Sequence, residues 1–405
     1  MPKVAIVGGG IAGLTAANYL QRANINYTVF EAGDKPGGKL QTEVINGFTL
    51  DKGFQVFLTA YPEAKAFLNY NTLNLNYFEP GAMLRLQNRF VEISDPLRQP
   101  SKLLSSLVSP VGNWLDKLKL LQLSNALKRL SVAEIFQTPE LSTLNDLKRL
   151  GFSNKIIERF FKPFLGGIFL EKQLRTSNRM FRFVMKMFAE GSAALPKGGI
   201  IKVAEQLANN LPSENIKYQQ KVTSIAKGKV QFKKKDHQNF DYILSSINFE
   251  KEDTKQYNQV CNLYFAATLA AVKGKKLLLN ASGSGLVNNV VFVDEIDSSV
   301  VPEGKSLVSV SVIGNPNLSD EKLVTAVQDE LSDWFGMAAK TWKHIKTYRI
   351  EKALPFCPNI NKNITPVEQD GIIYIGDQFT FGSLNAAMES GRKAAGYVQA
   401  KLNNH

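Results

Sequence analysis

The 405-residue chain has few of the residues from which disulfide frameworks and metal centres are built. Its two cysteines, Cys261 and Cys357, lie far apart, and its three histidines show no metal-ligand spacing. Disulfide scaffolds and zinc sites both depend on closely spaced cysteine or histidine residues. We therefore expect neither kind of structure, and we interpret Cys357 as a buried structural thiol.

Long apolar runs are also missing. No stretch approaches the roughly 18 consecutive apolar residues that a membrane-spanning helix needs. The first residues run directly into an apolar strand, without the charged region, apolar core and cleavage site of a signal peptide. A cytoplasmic chain is the simplest expectation. With 44% hydrophobic and 21% charged residues, the composition is typical of a folded globular protein.

Basic residues are in surplus and give the chain a formal net charge of +13. Such a charge suits an anionic cofactor, an anionic membrane surface or nucleic acid, and of these we predict no nucleic-acid partner. The lysines at positions 233–235 fall in a predicted hairpin and are interpreted as a solvated surface.

Basic and aromatic residues interleave between residues 146 and 190, a segment predicted to be helical. Its phenylalanines either pack a core or form a tunnel entrance that faces a membrane. Just before this segment, leucines recur at helical spacing, either in a domain helix with a solvated outer face or in an amphipathic helix lying on a bilayer. The residues concerned are Leu120, Leu123, Leu127, Leu130, Phe160, Phe161, Phe164, Phe169, Phe181 and Phe183.

The N-terminus carries a G-x-G-x-x-G motif between a predicted strand, residues 4–7, and a predicted helix, residues 11–22. Gly8 allows the tight turn, Gly10 lets the backbone approach a pyrophosphate, and Gly13 permits close packing of the helix on the strand. A second predicted strand, residues 27–30, leads to Glu31, whose carboxylate can accept hydrogen bonds from ribose hydroxyls. This β-α-β opening therefore predicts a dinucleotide site.

The remaining chain alternates between strand-like and helical segments. Residues 44–58 are strand-like, and the chain is then predicted to be helical to about residue 190. A helix at 200–209 and strands at 216–219, 229–232 and 242–246 follow. Residues 260–315 predict a second sheet, and they precede a helix at 320–334, a strand at 372–375 and a C-terminal helix at 383–402. Because no linker divides the chain, we expect interleaved domains.

Further motifs give the chain a resemblance to a known family. They are DKPGGKLQT at residues 34–42, GFTLDKG at 47–53, LPKGG at 195–199, IIYIGD at 372–377 and GSLNAAMESGR at 382–392. Together with the glycine motif, they resemble the flavin amine oxidase superfamily, which includes monoamine oxidases, protoporphyrinogen oxidases and phytoene desaturases. The resemblance implies an α/β fold: a Rossmann-like FAD-binding domain (1–60, 190–250 and 350–405) and an interleaved α+β substrate-binding domain (61–189 and 251–349).

The resemblance also implies FAD as the cofactor and assigns the residues around it. Lys39 stands where the family usually has an arginine, and it can neutralise phosphate only as a point charge. Asp377 is placed to meet ribityl or pyrophosphate oxygens, and the helix that begins near Ser383 would face flavin N1 and C2. The full set of expected cofactor contacts is Gly8, Gly10, Ile11, Ala12, Gly13, Glu31, Ala32, Gly37, Gly38, Lys39, Val222, Gly376, Asp377, Ser383, Leu384 and Ala387.

The expected activity is hydride removal from a largely apolar substrate. The sequence has no catalytic triad, HExxH or paired-carboxylate signature, so the difficult chemistry falls to the flavin. Amine oxidases of the superfamily commonly have an aromatic residue where this chain has Ser383, which favours a desaturase or a protoporphyrinogen oxidase. An amine oxidase is the alternative enzyme. A flavin-free carrier of prenylated partners is the alternative from another class, and the intact glycine, Glu31 and Asp377 motifs argue against it.

Overall fold

A computed structural model describes residues 2–87, 89–93, 110–232, 236–249, 256–361 and 366–404. The lysines at 233–235 lie outside these residues. The strands are β1 (Lys3–Val7), β2 (Asn26–Phe30), β3 (Thr42–Ile45), β4 (Phe48–Asp51), β5 (Phe57–Leu58), β6 (Leu75–Tyr77), β7 (Ala82–Leu86), β8 (Arg89–Ile93), β9 (Ala193–Pro196), β10 (Ile216–Lys217), β11 (Val222–Ala226), β12 (Lys229–Phe232), β13 (His237–Asn239), β14 (Tyr242–Ser245), β15 (Tyr257–Ala267), β16 (Leu277–Asn280), β17 (Val287–Phe292), β18 (Ser306–Ile313), β19 (Lys343–Pro355), β20 (Val367–Gln369) and β21 (Ile372–Tyr374).

The α-helices are α1 (Ile11–Arg22), α2 (Pro62–Phe67), α3 (Tyr70–Leu73), α4 (Trp114–Arg129), α5 (Val132–Gln137), α6 (Thr143–Arg149), α7 (Asn154–Ile156), α8 (Lys162–Phe169), α9 (Asn178–Glu190), α10 (Ile201–Asn209), α11 (Val293–Ile296), α12 (Asp320–Phe335) and α13 (Leu384–Asn403). A π-helical turn, Ile157–Phe161, joins α7 to α8. Short 3₁₀ segments span Ser213–Asn215, Ser298–Val300, Met337–Thr341 and Asp377–Phe379. Across the described ranges, none of the helices combines the length and apolarity needed to span a bilayer.

The first sheet has the strand order β10-β2-β1-β14-β21-β20. Its first five strands pair in parallel, and β20 pairs antiparallel with β21 at the edge. The opening β1-α1-β2 unit is as predicted. Helix α1 also packs tightly against α13, where a Cβ on Gly391 would come within 2.2 Å of the Ala12 carbonyl oxygen. The N-terminal and C-terminal motifs are therefore neighbours in the fold.

The second sheet has the strand order β19-β15-β18-β17-β16-β7-β8 and is antiparallel except where β16 meets β7. Helix α12 covers one of its faces with the buried side chains of Leu323, Val327 and Leu331. The predicted second sheet between residues 260 and 315 is thus present, and it recruits strands from both sides of that range. Strand β19 spans the domain boundary predicted at residue 350, and the interleaved domain division itself stays a prediction.

The prediction of a helical chain from about residue 60 to 190 was partly wrong. Strands β6, β7 and β8 interrupt it, and β7 joins the second sheet by pairing with β16. Ala82–Leu86 is a short apolar run around one arginine, and periodicity cannot separate such a run from a buried helical turn. The partner strand β16 is almost two hundred residues away (277 − 82 = 195), so no local signal indicated the pairing.

The basic, phenylalanine-rich segment is mainly a packed core. Phe161, Phe169, Phe181 and Phe183 are completely buried. Several of its cations are buried as well and are paired with acids. Arg182 reaches Asp146 at 2.7 Å, Arg179 reaches Glu140 at 3.0 Å, and Lys186 pairs with Glu190. For these residues core packing, rather than an interfacial face, explains the pattern.

Candidate active site

A large cavity of about 1310 Å³ runs between the two sheets and into the helical segment. At one end it is lined by residues that follow the carboxyl ends of parallel strands: Gly8 after β1, Glu31 after β2, Ser246 after β14 and Gly376 after β21. Ligands in open parallel sheets bind in the crevice at these strand ends. We refer to this part of the cavity as the cofactor end.

The glycine motif forms a cradle in which Gly8 and Gly13 leave no room for a side chain. Gly8 has a φ of +106°, and a Cβ on Gly13 would lie 2.1 Å from the Gly8 carbonyl oxygen. Gly10 faces Gly38, whose Cα would be 3.6 Å from a Cβ at Gly10. Within the described chain, no side chain caps the first amides of α1. The amides of this first turn have no intrahelical acceptor, so they are available to an anion.

Glu31 is held at the edge of this cradle by two backbone amides. Its carboxylate oxygens accept hydrogen bonds from Gly9 N and Gly33 N, both at 2.7 Å. The side chain is partly exposed and lines the cavity. A carboxylate oxygen can accept more than one hydrogen bond, so Glu31 keeps capacity for hydroxyl donors.

Lys39 and Asp377 meet across the cofactor end from opposite ends of the sequence. Lys39 Nζ lies 3.0 and 2.9 Å from the two carboxylate oxygens of Asp377. Asp377 follows Gly376, which adopts a φ of +125° and donates its amide to Ser390 Oγ at 2.9 Å. The ion pair thus links the loop after β2 to the loop after β21.

Helix α13 begins at the cofactor end of the cavity, close in the sequence to Asp377. Ser383 caps it by accepting a hydrogen bond from Ala386 N at 3.0 Å, and Leu384 and Ala387 of its first turn line the cavity. The side chain of Ser383 is therefore engaged with its own helix. The positive end of a 20-residue helix opens onto the cavity.

Nearly all residues expected to contact the cofactor line this one cavity, although the sequence places them in three separate blocks. The exceptions are Ala32 and Val222, which lie outside the described lining. Ala32 is exposed on the turn after β2, and Val222 is buried in a small core with Phe30 and Phe232. The contact predicted for Val222 therefore stays a prediction.

Asp51 connects the strand pair β3–β4 to the start of helix α10. Its Oδ1 accepts hydrogen bonds from Thr42 Oγ1 at 2.5 Å and from Ile200 N at 3.0 Å. Gly199, with a φ of +100°, passes so close that a Cβ there would lie 2.8 Å from Asp51 Oδ1. Burial raises the pKa of the Asp51 carboxyl to about 6. The LPKGG and GFTLDKG motifs therefore form one contact.

The far end of the cavity is apolar, and we refer to it as the substrate end. Phe160 and Phe164 stack with their ring centroids 5.3 Å apart, and Phe164 also contacts Phe188. Leu120 and Leu121 of α4 complete this wall. The phenylalanine-rich segment thus contributes both core and cavity lining, and the predicted membrane-facing entrance stays a prediction.

Several lining residues were not predicted from the sequence. They include Tyr257 and Lys352 on neighbouring strands, Ser246 and Gln378 near the cofactor end, and Asn289 and Ser311 on the second sheet. Gln378 directly follows the IIYIGD motif, and Ser246 follows the end of β14. Tyr257, Lys352, Asn289 and Ser311 come to the cavity through long-range strand pairing. An alternation of serine and valine in residues 308–312 was the one local signal that could have indicated a polar sheet face.

The features of the cofactor end together fit a dinucleotide. A cradle that a Cβ would fill, helix amides without a capping side chain and a carboxylate at the end of β2 are what pyrophosphate and ribose binding require.

Comparison with known proteins agrees with this geometry. Residues 11–399 match the model of the family described as flavin containing amine oxidoreductase. Among curated proteins, the chain is 27% identical to protoporphyrinogen oxidase 2 of Arabidopsis thaliana over 165 residues, which are 41% of this chain and 32% of that protein. It is 28% identical to coproporphyrinogen III oxidase of Staphylococcus aureus over 181 residues, which are 41% of this chain and 36% of the other. The matches span about a third of these relatives.

Solved structures share the fold over the whole length. An oxidoreductase from Methanosarcina mazei superposes with a TM-score of 0.73 at 18% identity and covers 98% of this chain and 100% of its own. Putrescine oxidase bound to putrescine gives a TM-score of 0.69 at 16% identity, and the superposition covers 98% of this chain and 99% of the putrescine oxidase chain. The expected α/β fold is thus confirmed. The chain therefore belongs to the flavin containing amine oxidoreductase family, with FAD as its cofactor.

Proposed function

We propose that this protein oxidises a bulky, largely apolar substrate of the porphyrinogen type by hydride transfer to FAD. The observation that carries the proposal is the continuity of the cavity from the glycine cradle to the phenylalanine-lined substrate end. Its volume of about 1310 Å³ exceeds the roughly 300–1,000 Å³ of ordinary ligand pockets. The space is therefore suited to a cofactor and a second large ligand side by side.

Each group at the cofactor end has a role in this proposal. The amides of Ile11, Ala12 and Gly13 would bind the pyrophosphate, and Glu31 would accept from the ribose hydroxyls. Lys39 and Asp377 would contact the polar chain that joins pyrophosphate to flavin. When bound, FAD supplies the hydride acceptor. The amino end of α13 would favour negative charge on the part of the flavin that lies near it.

The residues around the reacting end favour an apolar substrate over an amine. Ser383 caps α13 and presents no aromatic ring. Tyr257 has two cations nearby, with Lys39 Nζ 6.0 Å and Lys352 Nζ 5.5 Å from its ring centroid. A protonated amine would therefore compete with two cations of the protein for this ring. Relatives named as protoporphyrinogen and coproporphyrinogen oxidases support the same choice.

Anaerobic flavin reduction tests the proposal directly. The purified, FAD-loaded protein is mixed with coproporphyrinogen III, protoporphyrinogen IX, putrescine or phytoene, and bleaching of the flavin band is followed. We expect rapid bleaching by at least one porphyrinogen and little by putrescine. Fast bleaching by putrescine would instead identify an amine oxidase. A colourless protein unable to take up FAD would favour the carrier.

We further propose that α4 rests on an anionic membrane and delivers substrate from it. Trp114, Leu115 and Leu118 are 66%, 43% and 45% exposed, although they belong to the helix whose Leu120 and Leu121 line the substrate end. Exposed apolar residues next to lysines are typical of helices that lie in a membrane interface, and Lys117 and Lys119 alternate with these residues. The cytoplasmic localisation expected from the sequence is compatible with such contact and stays a prediction.

Vesicle flotation tests the membrane contact. The protein is mixed with vesicles of phosphatidylcholine alone or with phosphatidylglycerol added. We expect binding to the anionic vesicles, and we expect the Trp114→Ser, Leu118→Ser double variant to lose most of it. Met337→Ser is the matched control, because Met337 is 74% exposed but lies far along the chain, next to α12. Equal binding of both variants would contradict the role of α4.

A further inference from the structure

The two faces of the second sheet differ in chemistry. The face under α12 is apolar: Val308, Val310 and Val312 of β18 point there with neighbouring residues of β15. On the opposite face the same strands carry amides, hydroxyls and a phenol. We define these residues as the polar row: Asn262, Tyr264, Asn289, Ser309 and Ser311, all of which are buried.

Strand register places the core of the row in a line. Ser311 of β18 is the direct cross-strand partner of Asn262 on one side and of Asn289 on the other. Ser311 Oγ donates to Asn262 Oδ1 at 3.1 Å and accepts from Asn289 Nδ2 at 3.2 Å. Asn262 Nδ2 donates to Ser309 Oγ at 3.2 Å. The row is thus a connected hydrogen-bond network within a buried sheet face.

The row reaches the cavity at two of its members. Asn289 and Ser311 line the cavity, whereas Asn262 and Ser309 lie outside the described lining. An asparagine side chain has two N–H donors and an oxygen with two lone pairs. Asn289 donates one N–H to Ser311, and its Oδ1 accepts from Asn288 Nδ2 at 3.0 Å. One donor and one lone pair therefore remain for a ligand.

The orientation of Asn289 is fixed from behind. Asn288 also donates to the Pro163 carbonyl oxygen of α8 at 3.2 Å. Gly167 lets α8 approach this closely, because a Cβ there would lie 2.8 Å from Asn288 Nδ2 and 3.3 Å from Asn289 Oδ1. A polar group held in place before the ligand arrives binds with less loss of entropy and with more discrimination.

Packing alone does not account for the row. On the opposite face the same strands pack with valine side chains. Burying amides and hydroxyls instead costs free energy unless each finds a hydrogen-bond partner. Members of the row carry no charge, and a charged ligand group beside them would lack a counter-ion within the row.

We propose that Asn289 and Ser311 bind a neutral hydrogen-bonding group, such as a pyrrole N–H, on the substrate. The substrate is then not a pure hydrocarbon. This inference rests on the proposed function and specifies which apolar substrates the site selects.

Binding and turnover are measured separately to test this. Coproporphyrin III, a fluorescent tetrapyrrole, is titrated into the FAD-loaded protein, and its dissociation constant is compared among Asn289→Leu, Ser311→Ala and Ser309→Ala. Ser309→Ala is the matched control, because Ser309 belongs to the same network but lies outside the cavity lining. Flavin content and melting temperature establish that each variant is folded. If Asn289→Leu does not fold, Ser311→Ala alone tests the inference.

We expect weaker binding of coproporphyrin III by roughly tenfold in Asn289→Leu and about fivefold in Ser311→Ala, with less than about twofold in Ser309→Ala. Equal effects of Ser311→Ala and Ser309→Ala would overturn the inference, as would a wild-type protein that binds no coproporphyrin III. If the variants discriminate but no porphyrinogen bleaches the flavin, the inference stands and the proposed function fails. If a porphyrinogen bleaches the flavin equally well in all variants, the proposed function stands and this inference fails.

Discussion

The two ends of the cavity are built by different means. At the cofactor end, backbone groups of consecutive residues form the site, as in the turn from Gly8 to Gly13. At the substrate end, side chains from α4, α8, α9 and the second sheet meet, so the wall is assembled from segments that are distant in the sequence. Phosphates are bound by backbone geometry and ribose by an acidic residue at a strand end, and both leave motifs in a sequence, whereas an apolar ligand is bound by shape, which leaves none.

The largest expected effect comes from removing the cradle without disturbing the fold. In Gly10→Val we expect loss of FAD retention by more than about a hundredfold, because the new side chain occupies the space that a pyrophosphate needs. The protein itself should fold, since a Cβ at Gly10 meets Gly38 Cα at an ordinary 3.6 Å. The ratio of flavin absorbance to protein absorbance after gel filtration measures the first expectation, and circular dichroism measures the second.

Gly13→Val separates cofactor binding from packing. A Cβ at Gly13 would lie 2.1 Å from the Gly8 carbonyl oxygen, so this variant should lose both the flavin and a large part of its thermal stability. Stoichiometric flavin in Gly10→Val would show that the cradle does not hold the cofactor. Equal stability losses in the two variants would show that it is only a packing feature.

The same difference explains how far the sequence could be interpreted. The β-α-β opening and Glu31 were predictable because each is a local pattern with one physical cause, whereas the expectation for Asp377 came from the family resemblance. Strand β7 was missed because its apolar run fits a helix equally well and its partner is distant in sequence. Phe160 lines the cavity and Phe161 is core, although they are adjacent. Only the π-helical turn and the packing around it decide which way each ring points.

Asp51 lies at the contact between the LPKGG and GFTLDKG motifs, and its ionisation should make stability depend on pH. Its folded pKa, about 6, lies above the ordinary 3.8 because the carboxyl is buried. The folded state therefore holds the proton more tightly, and this stabilisation is complete below about pH 4 and is lost as the pH rises to 6. In Asp51→Asn we expect the free energy of unfolding at pH 7 to rise by about 1–2 kcal/mol relative to wild type, after allowance for partial solvent access.

Urea denaturation at pH 4 and pH 7 provides the measurement. The difference between Asp51→Asn and wild type should be smaller at pH 4, where the aspartate is protonated in the folded state. Thr42→Val, which removes the hydroxyl that Asp51 accepts from, should destabilise at both pH values. A variant-to-wild-type difference that does not change with pH would contradict a raised pKa at Asp51.

Filling the substrate end should impair oxidation and spare the cofactor. Leu121 is partly buried and lines the cavity from α4. In Leu121→Trp we expect kcat/KM for a porphyrinogen to fall by about tenfold with normal flavin content, since even a few misplaced atoms weaken a fitted apolar site. Met337→Trp, at an exposed position outside α4, is the control and should change little. Loss of flavin in Leu121→Trp would mean that the two ends are not separate.

The smallest expected effect concerns Lys39, which touches the cofactor end by charge rather than by backbone shape. Its ion pair with Asp377 is partly exposed, and such pairs contribute little to folding. In Lys39→Met we expect FAD affinity to fall about fivefold, with a weaker dependence on salt, because one cation near phosphate is gone. Lys39→Arg should keep the affinity, since a guanidinium can serve both Asp377 and a phosphate through its planar fork. Fluorescence titration of FAD at two salt concentrations measures both variants. If Lys39→Met loses as much affinity as Gly10→Val, then a single side chain matters as much as the backbone cradle, and the contrast between local geometry and charge at this end is wrong.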